Sequence, residues 1–230
     1  MTILSKSLAL AGASALAAIS IAAPAQAQVG GVATANSVVA IAQAKALGEA
    51  YKQIDTTYAS YYTQMQSKRQ EMNGMLAKLD KNGDKEVDQA EMDAATAAKN
   101  PVLAQIDQKE KEINTLREPI MKAQIYVVEQ IAQKYSAAQQ AVVKSKKLNY
   151  ILAPDAFVWA PDSINVTSDI TAEIDKLIPA ANVTPPAEWK PTQQSANIYQ
   201  QVQQLIATAA QIQAARAAQQ QPAAQQPTGR

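Results

Sequence analysis

The sequence contains neither cysteine nor histidine. Without cysteine, no disulfide can hold the fold, even in an oxidising compartment. Without histidine there is no Ser-His triad and no histidine general base, and the commonest zinc ligand is missing. Phenylalanine occurs once and glycine seven times, so there is little material for a glycine-rich phosphate loop or a large globular core. An excess of either charge is also missing, with 21 basic and 20 acidic residues. Nucleic-acid binding relies on a marked basic surplus, and none is present. These absences leave helix-forming and low-complexity material to be read.

The only long apolar run is at the start. SLALAGASALAAISIAAPAQA (7–27) follows Lys6 and closes on Ala25-Gln26-Ala27. That order is the charged, apolar and small-residue sequence of a secretory signal peptide, with cleavage expected after Ala27. The run is alanine-rich and reaches only about 17 residues before Pro24, short for a membrane span. The chain from Gln28, 203 residues, is expected to be soluble after export, with a net charge near zero.

The middle of the chain is periodic. Leu47, Tyr51, Ile54, Tyr58, Tyr61 and Met65 step by four and three, and the pattern resumes at Met72, Met75 and Leu79. Beyond Pro101, Ile106, Ile113, Ile120 and Val127 recur every seven residues. Heptad spacing of this kind marks amphipathic helices that pack along one seam. Two helices are expected, about 37–79 and 102–147, with a slight bend at Pro119. Their near-equal lengths and the polar segment between them predict an antiparallel hairpin. Tyrosine, methionine and alanine in the seam predict loose packing and a flexible arm.

Short strands are expected at the root of the hairpin. GVATAN (31–36) precedes it. LNYILAPDAFVWA (148–160) follows, as two apolar runs split by Pro154-Asp155. Three such strands make too small a sheet to stand alone, so self-association through this base is expected, held by Val32, Ile151, Phe157 and Trp159. Ser168-Asp169 is read as the cap of a short helix over 170–178. The tail is rich in proline, glutamine and alanine, with one helix expected over 196–220 and disorder in the last dozen residues.

The polar segment DKNGDKEVDQAE (80–91) follows the calcium-loop template closely. Asp80, Asn82, Asp84, Asp88 and Glu91 fill positions 1, 3, 5, 9 and 12, and Glu86 at position 7 would offer its carbonyl. The loop resembles an EF-hand in every side-chain ligand but has Lys85 where glycine is usual. A lysine there must adopt positive φ, at a cost of about 1 kcal/mol or more. The competing reading is a plain polar turn at the arm tip. If calcium binds, it is expected to act as a weak structural clasp.

The order of signal segment, GVATAN strand, long hairpin and NYILAPDAFVWAPDSINVTSDITAEI resembles the Skp/OmpH family of periplasmic chaperones over about residues 29–180. The resemblance implies a mainly α fold with a small β body, in which a long antiparallel helical hairpin arm projects from a short-stranded oligomerisation base. It divides the chain into a signal peptide (1–27), a β-rich body (28–36 and 148–180), an arm (37–147) with the EF-hand-like tip (80–91), and a C-terminal extension (181–230). It also implies a non-catalytic homotrimer that holds unfolded outer-membrane proteins between its arms without ATP. Client contact is then assigned to the arm faces at Tyr51, Ile54, Tyr58, Tyr61, Met65, Met72, Ile113 and Ile120. No cofactor is required, with calcium as the one candidate. Nucleic acid is not a partner, and neutral charge implies weak or no membrane-surface binding. The alternative is a structural coiled-coil spacer or adaptor of the envelope with a calcium-binding tip. A calcium sensor and an enzyme fit less well.

Overall fold

The structure, a computed structural model, describes residues 31–220. The expected signal segment and the end of the tail from residue 221 lie outside the described residues. The described elements run β1 (Val32–Thr34), α1 (Ser37–Ala42), α2 (Lys45–Thr57), α3 (Ala59–Leu76), α4 (Gln89–Ala97), α5 (Pro101–Lys146), β2 (Tyr150–Leu152), α6 (Thr167–Leu177) and α7 (Gln193–Gln220), with single 3-10 turns at Pro154–Ala156 and Asp162–Ile164. No described helix is long and apolar enough to cross a membrane.

The hairpin forms, but its ascending side is three helices rather than one over 37–79. The break before Lys45 has an external cause. The Lys45 amide donates to the Asp175 carboxylate of α6 at 2.8 Å, so a side chain 130 residues away caps α2. The second break, at Tyr58, follows two β-branched residues, and the Thr56 hydroxyl donates back to the Lys52 carbonyl at 3.1 Å. The descending side, α5, is a single helix of 46 residues, about 69 Å long. Asn100 caps it by accepting from Val102 N, and Pro101 stands in the first turn, where its missing N–H costs nothing. Pro119 lies inside it. Lys147 ends it in the left-handed conformation, φ 52°.

The two strands pair in parallel, Val32 with Tyr150, Ala33 with Ile151 and Thr34 with Leu152, with the whole arm as their connection. Gly31 sets up this junction. Its carbonyl accepts from the amides of Asn149 and Tyr150. It sits at φ 93°, and a Cβ there would lie 2.8 Å from the Asn149 nitrogen. On the other side of β1, Thr34 bridges Asn165.

The expected third strand at AFVWA does not form. Phe157 leaves a 3-10 turn, and Val158 to Pro161 has no regular structure. The place beside β1 at Thr34 goes to the Asn165 bridge, and the 3-10 turn at Pro154–Ala156 ends the extended run before Phe157. The expected cap of the short helix also shifts. α6 starts at Thr167 with Val166 at its cap position, and Asn165 accepts from the Thr167 amide, so Ser168 and Asp169 lie inside the first turn.

Two apolar clusters result. The larger fills the base and lower arm, where Leu47, Ile54, Val127, Val128, Ile131, Ile170 and Ile174 are fully buried. Each such burial is worth about 1.5–3 kcal/mol. The smaller cluster sits at the tip around Leu79, Ala95 and Ile106, flanked by methionines 72, 75 and 92.

Candidate interaction surfaces

The base carries an uncovered apolar patch. Tyr150 and Leu152 are exposed on β2, and in the loop beyond it Val158 is fully exposed and Trp159 is 79% exposed. Side chains alternate along a strand. Ile151 therefore turns towards the core cluster while its neighbours Tyr150 and Leu152 turn outward. The same alternation is visible in the sequence, and it places Tyr150 and Leu152, rather than Ile151, on the open face. Of the four residues assigned to association, Trp159 is the exposed one, whereas Val32, Ile151 and Phe157 are half-buried. Large apolar side chains grouped in the open are a signature of an interaction surface.

The arm seam is used internally. Ile54, Met65, Ile113 and Ile120 are each at most 5% exposed, because the heptad faces of the two sides of the hairpin pack on each other. These four are corrected from client-facing positions to the arm's own core. Tyr51, Tyr58, Tyr61 and Met72 remain partly accessible, although burial pushes the Tyr51 phenol upward and its hydroxyl accepts from Gln203 of α7 at 2.8 Å.

Midway along the arm a charged cluster ties the helices. Lys68 of α3 pairs with Glu112 of α5, and Lys109 reaches Glu71 at 2.7 Å and Glu112 at 3.4 Å. Donation from Lys68, with help from Gln108 and Lys109, holds the Glu112 carboxyl down at about 2. Glu71 is lowered and Lys109 raised chiefly by their mutual hydrogen bond. The group is open to water, so its energetic weight is small.

The tip loop closes on its own backbone. Asp80 accepts from the amides of Gly83 (2.6 Å) and Lys85 (2.9 Å). Asn82 accepts from Asp84 N, and Asp84 accepts from Glu86 N. Lys85 takes φ 72°, the left-handed conformation that the EF-hand template requires at this position. Glu91 is buried to 8% exposure. One of its oxygens accepts from the amides of Lys81 and Asn82, and the other accepts from Asp88 N. Asp88 in turn caps α4 by accepting from Glu91 N, a reciprocal capping box. Among the described residues, no group of three or more acidic residues is placed to hold a metal ion. Asp80, Asn82, Asp84, Asp88 and Glu91 each accept from at least one backbone amide through a side-chain oxygen, while Glu86 is exposed.

The tail fastens to the root of the arm. Trp189 stacks edge-on against Tyr126, with ring centroids 5.0 Å apart, and donates to Glu129 at 3.2 Å. Gln130 holds both the amide and the carbonyl of Asn182. In α7, Val202 is fully buried and Tyr199 donates to Gln124 at 2.8 Å. The helix is legible in the sequence but its seat is not, since its hydrogen bonds reach Gln124 and Tyr51, 75 and 152 positions away.

The OmpH-like outer membrane protein family matches residues 31–174. The chain belongs to this family. The match takes in both strands, the whole arm and most of α6, and it stops short of α7. A candidate OmpH-like outer membrane chaperone from Caulobacter crescentus CB15, known from its crystal structure, aligns with this OmpH-like chain over 71% of its residues and 92% of the Caulobacter chain, at 16% identity and a TM-score of 0.41. No curated protein matches the sequence.

Proposed function

We propose that this OmpH-like protein is an ATP-independent periplasmic holdase, a non-catalytic homotrimer that shelters unfolded outer-membrane proteins between its arms. The observation that carries the proposal is the pairing of a 46-residue helix in a two-sided arm with an apolar patch left open at the arm's root. In a single chain, Tyr150, Leu152, Val158 and Trp159 stand in water. Association through them would bury the patch, give the edge of β2 a partner, and set several arms around a common space. Membership of the OmpH-like family supports the same reading.

Client contact in this proposal falls on the parts of the arm not consumed by its seam. These are Tyr58, Tyr61 and Met72, which are half-buried, and Met121, which is 41% exposed. Aromatic and methionine side chains suit such a role, since they cover apolar surface without demanding one geometry. The client surface proposed here lies along the arm and not in the tip loop, so the holdase activity is taken to be calcium-independent. The test is dilution of a urea-unfolded outer-membrane β-barrel into buffer with and without the protein. Stoichiometric trimer should keep the barrel soluble, with or without several millimolar calcium. Aggregation at the unassisted rate would favour a spacer or adaptor instead.

A further inference from the structure

The helix that lies outside the family match, α7, sits in a groove between α1 and α5, and it sits there lightly. Among its residues of described burial, Gln193 to Gln219, only Ser195 and Val202 are buried, and everything from Ile206 to Gln219 is exposed. The buried hydroxyl of Ser195 is satisfied within the tail itself, by Thr192. Its hydrogen bonds to the arm are two, Tyr199 to Gln124 and Gln203 to Tyr51. Beside its first turns the groove stays open as a cleft of about 580 Å³, lined by Val38 and Ile41 of α1, Ala132 and Tyr135 of α5 and Ile198 of α7 itself, with Glu129 and Gln133 of α5 among its polar lining. The helix therefore covers only part of the groove and leaves apolar surface of α1 and α5 reachable beside it.

The tether is firmer than the seat. Before α7 begins, the chain is fixed to α5 through the Asn182–Gln130 pair and the Trp189–Tyr126–Glu129 contact. Release of α7 would therefore uncover the groove without losing the helix.

We infer that the α1–α5 groove is a second client-binding surface and that α7 is its displaceable resident. This rests on the holdase reading above. The occupant that competes with α7 is an apolar, aromatic-bearing, uncharged segment of an unfolded outer-membrane β-barrel strand. The resident itself defines that chemistry. It presents Ile198, Tyr199, Val202 and Leu205 to the groove region, and no acidic residue occurs anywhere after Glu188. Strands of outer-membrane barrels carry the same mix, an apolar band with aromatic girdles. A client arriving between the arms would then meet an additional apolar surface at their root, opened only when the client is there to replace α7.

The experiment is amide hydrogen exchange on the full chain, with and without an unfolded outer-membrane barrel bound. Amides of Ser195–Leu205 should exchange faster with client bound, while those of α5 around Val127–Ile131 do not. In parallel, Val202→Asp should unseat α7 and raise client affinity on the order of threefold or more, because an internal competitor lowers apparent affinity by the fraction of time it occupies the site. Should Val202→Asp fail to fold, Tyr199→Phe combined with Gln203→Ala removes only the two polar fasteners and should shift affinity the same way by a smaller factor. An apolar dye whose binding rises in these variants shows that the groove has opened. Raised dye binding with unchanged client affinity, or client-bound exchange at Ser195–Leu205 that is slower or unchanged, overturns the inference and leaves the holdase intact. Absence of client binding in wild type and variants alike removes the holdase reading, and this inference with it.

Discussion

At the base, Asn36, Ala40 and Lys45 meet Thr167, Thr171 and Asp175 across 131, 131 and 130 residues of chain. At the tip, the side chains of residues 80–91 bond to one another's backbone inside a single twelve-residue segment. The two ends of one arm are thus specified in different ways. The base joins β1, β2, α1, α2, α5 and α6 in one apolar cluster, and this frame, on which α7 rests, should be lost as a whole. The tip is a local structure with three buried residues behind it, and it can open while the base stays folded. An arm with a cooperative root and a separable end keeps its anchor when the far end moves.

The comparison breaks most sharply with a cavity at the root. Ile131→Ala removes a fully buried side chain from the base cluster and should cost about 2–5 kcal/mol. Chemical denaturation should show one transition moved to lower denaturant. A variant that lost only part of its helix signal would mean the base is not cooperative.

Leu79→Ala makes the equivalent cavity in the tip cluster, worth roughly 2–4 kcal/mol. Its effect should be confined to the tip. Exchange of α4 amides should quicken, while the midpoint of global unfolding moves far less than for Ile131→Ala. Equal shifts in the two variants would erase the distinction between the two ends.

Glu91→Ala leaves the amides of Lys81, Asn82 and Asp88 without their acceptor and removes half of the capping box. The local cost should be about 1–3 kcal/mol, visible as faster proteolysis within 81–86. Cleavage at the wild-type rate would show that Glu91 does not organise the loop.

The smallest effect belongs to the mid-arm charges. The Glu112 carboxyl titrates lower in the folded arm than in the unfolded chain, so its contribution is present above the ordinary carboxylate range and fades as pH falls towards about 2. Amides near Lys68 and Glu112 should lose protection over that window, and Glu112→Gln should flatten the change. A variant with the same pH profile would assign the acid sensitivity to other carboxylates.

The same contrast explains what the sequence made legible. The arm could be read because heptad spacing is a local signal, and α5 follows its expected bounds to within a residue at each end. The positive φ at Lys85 was legible for the same reason, since it follows from a twelve-residue template. The interruption at Lys45 was not, because its cause is Asp175 on another helix. Nor was the loss of the AFVWA strand, since Asn165, from further along the chain, takes the place beside Thr34. The seam residues were found correctly but given the wrong surroundings. Period alone shows that Ile54, Met65, Ile113 and Ile120 share a face, and not whether that face meets a client or the other side of the hairpin.

The central claim is that the open apolar patch of the base is where chains assemble. It is tested most directly by light-scattering molar mass of the wild type and of Trp159→Asp, a residue 79% exposed in the single chain whose change should leave the protomer's own fold untouched. The wild type should weigh three chains, and Trp159→Asp should weigh one with unchanged circular dichroism. A monomeric wild type, or a Trp159→Asp variant that remains fully trimeric, would contradict the account.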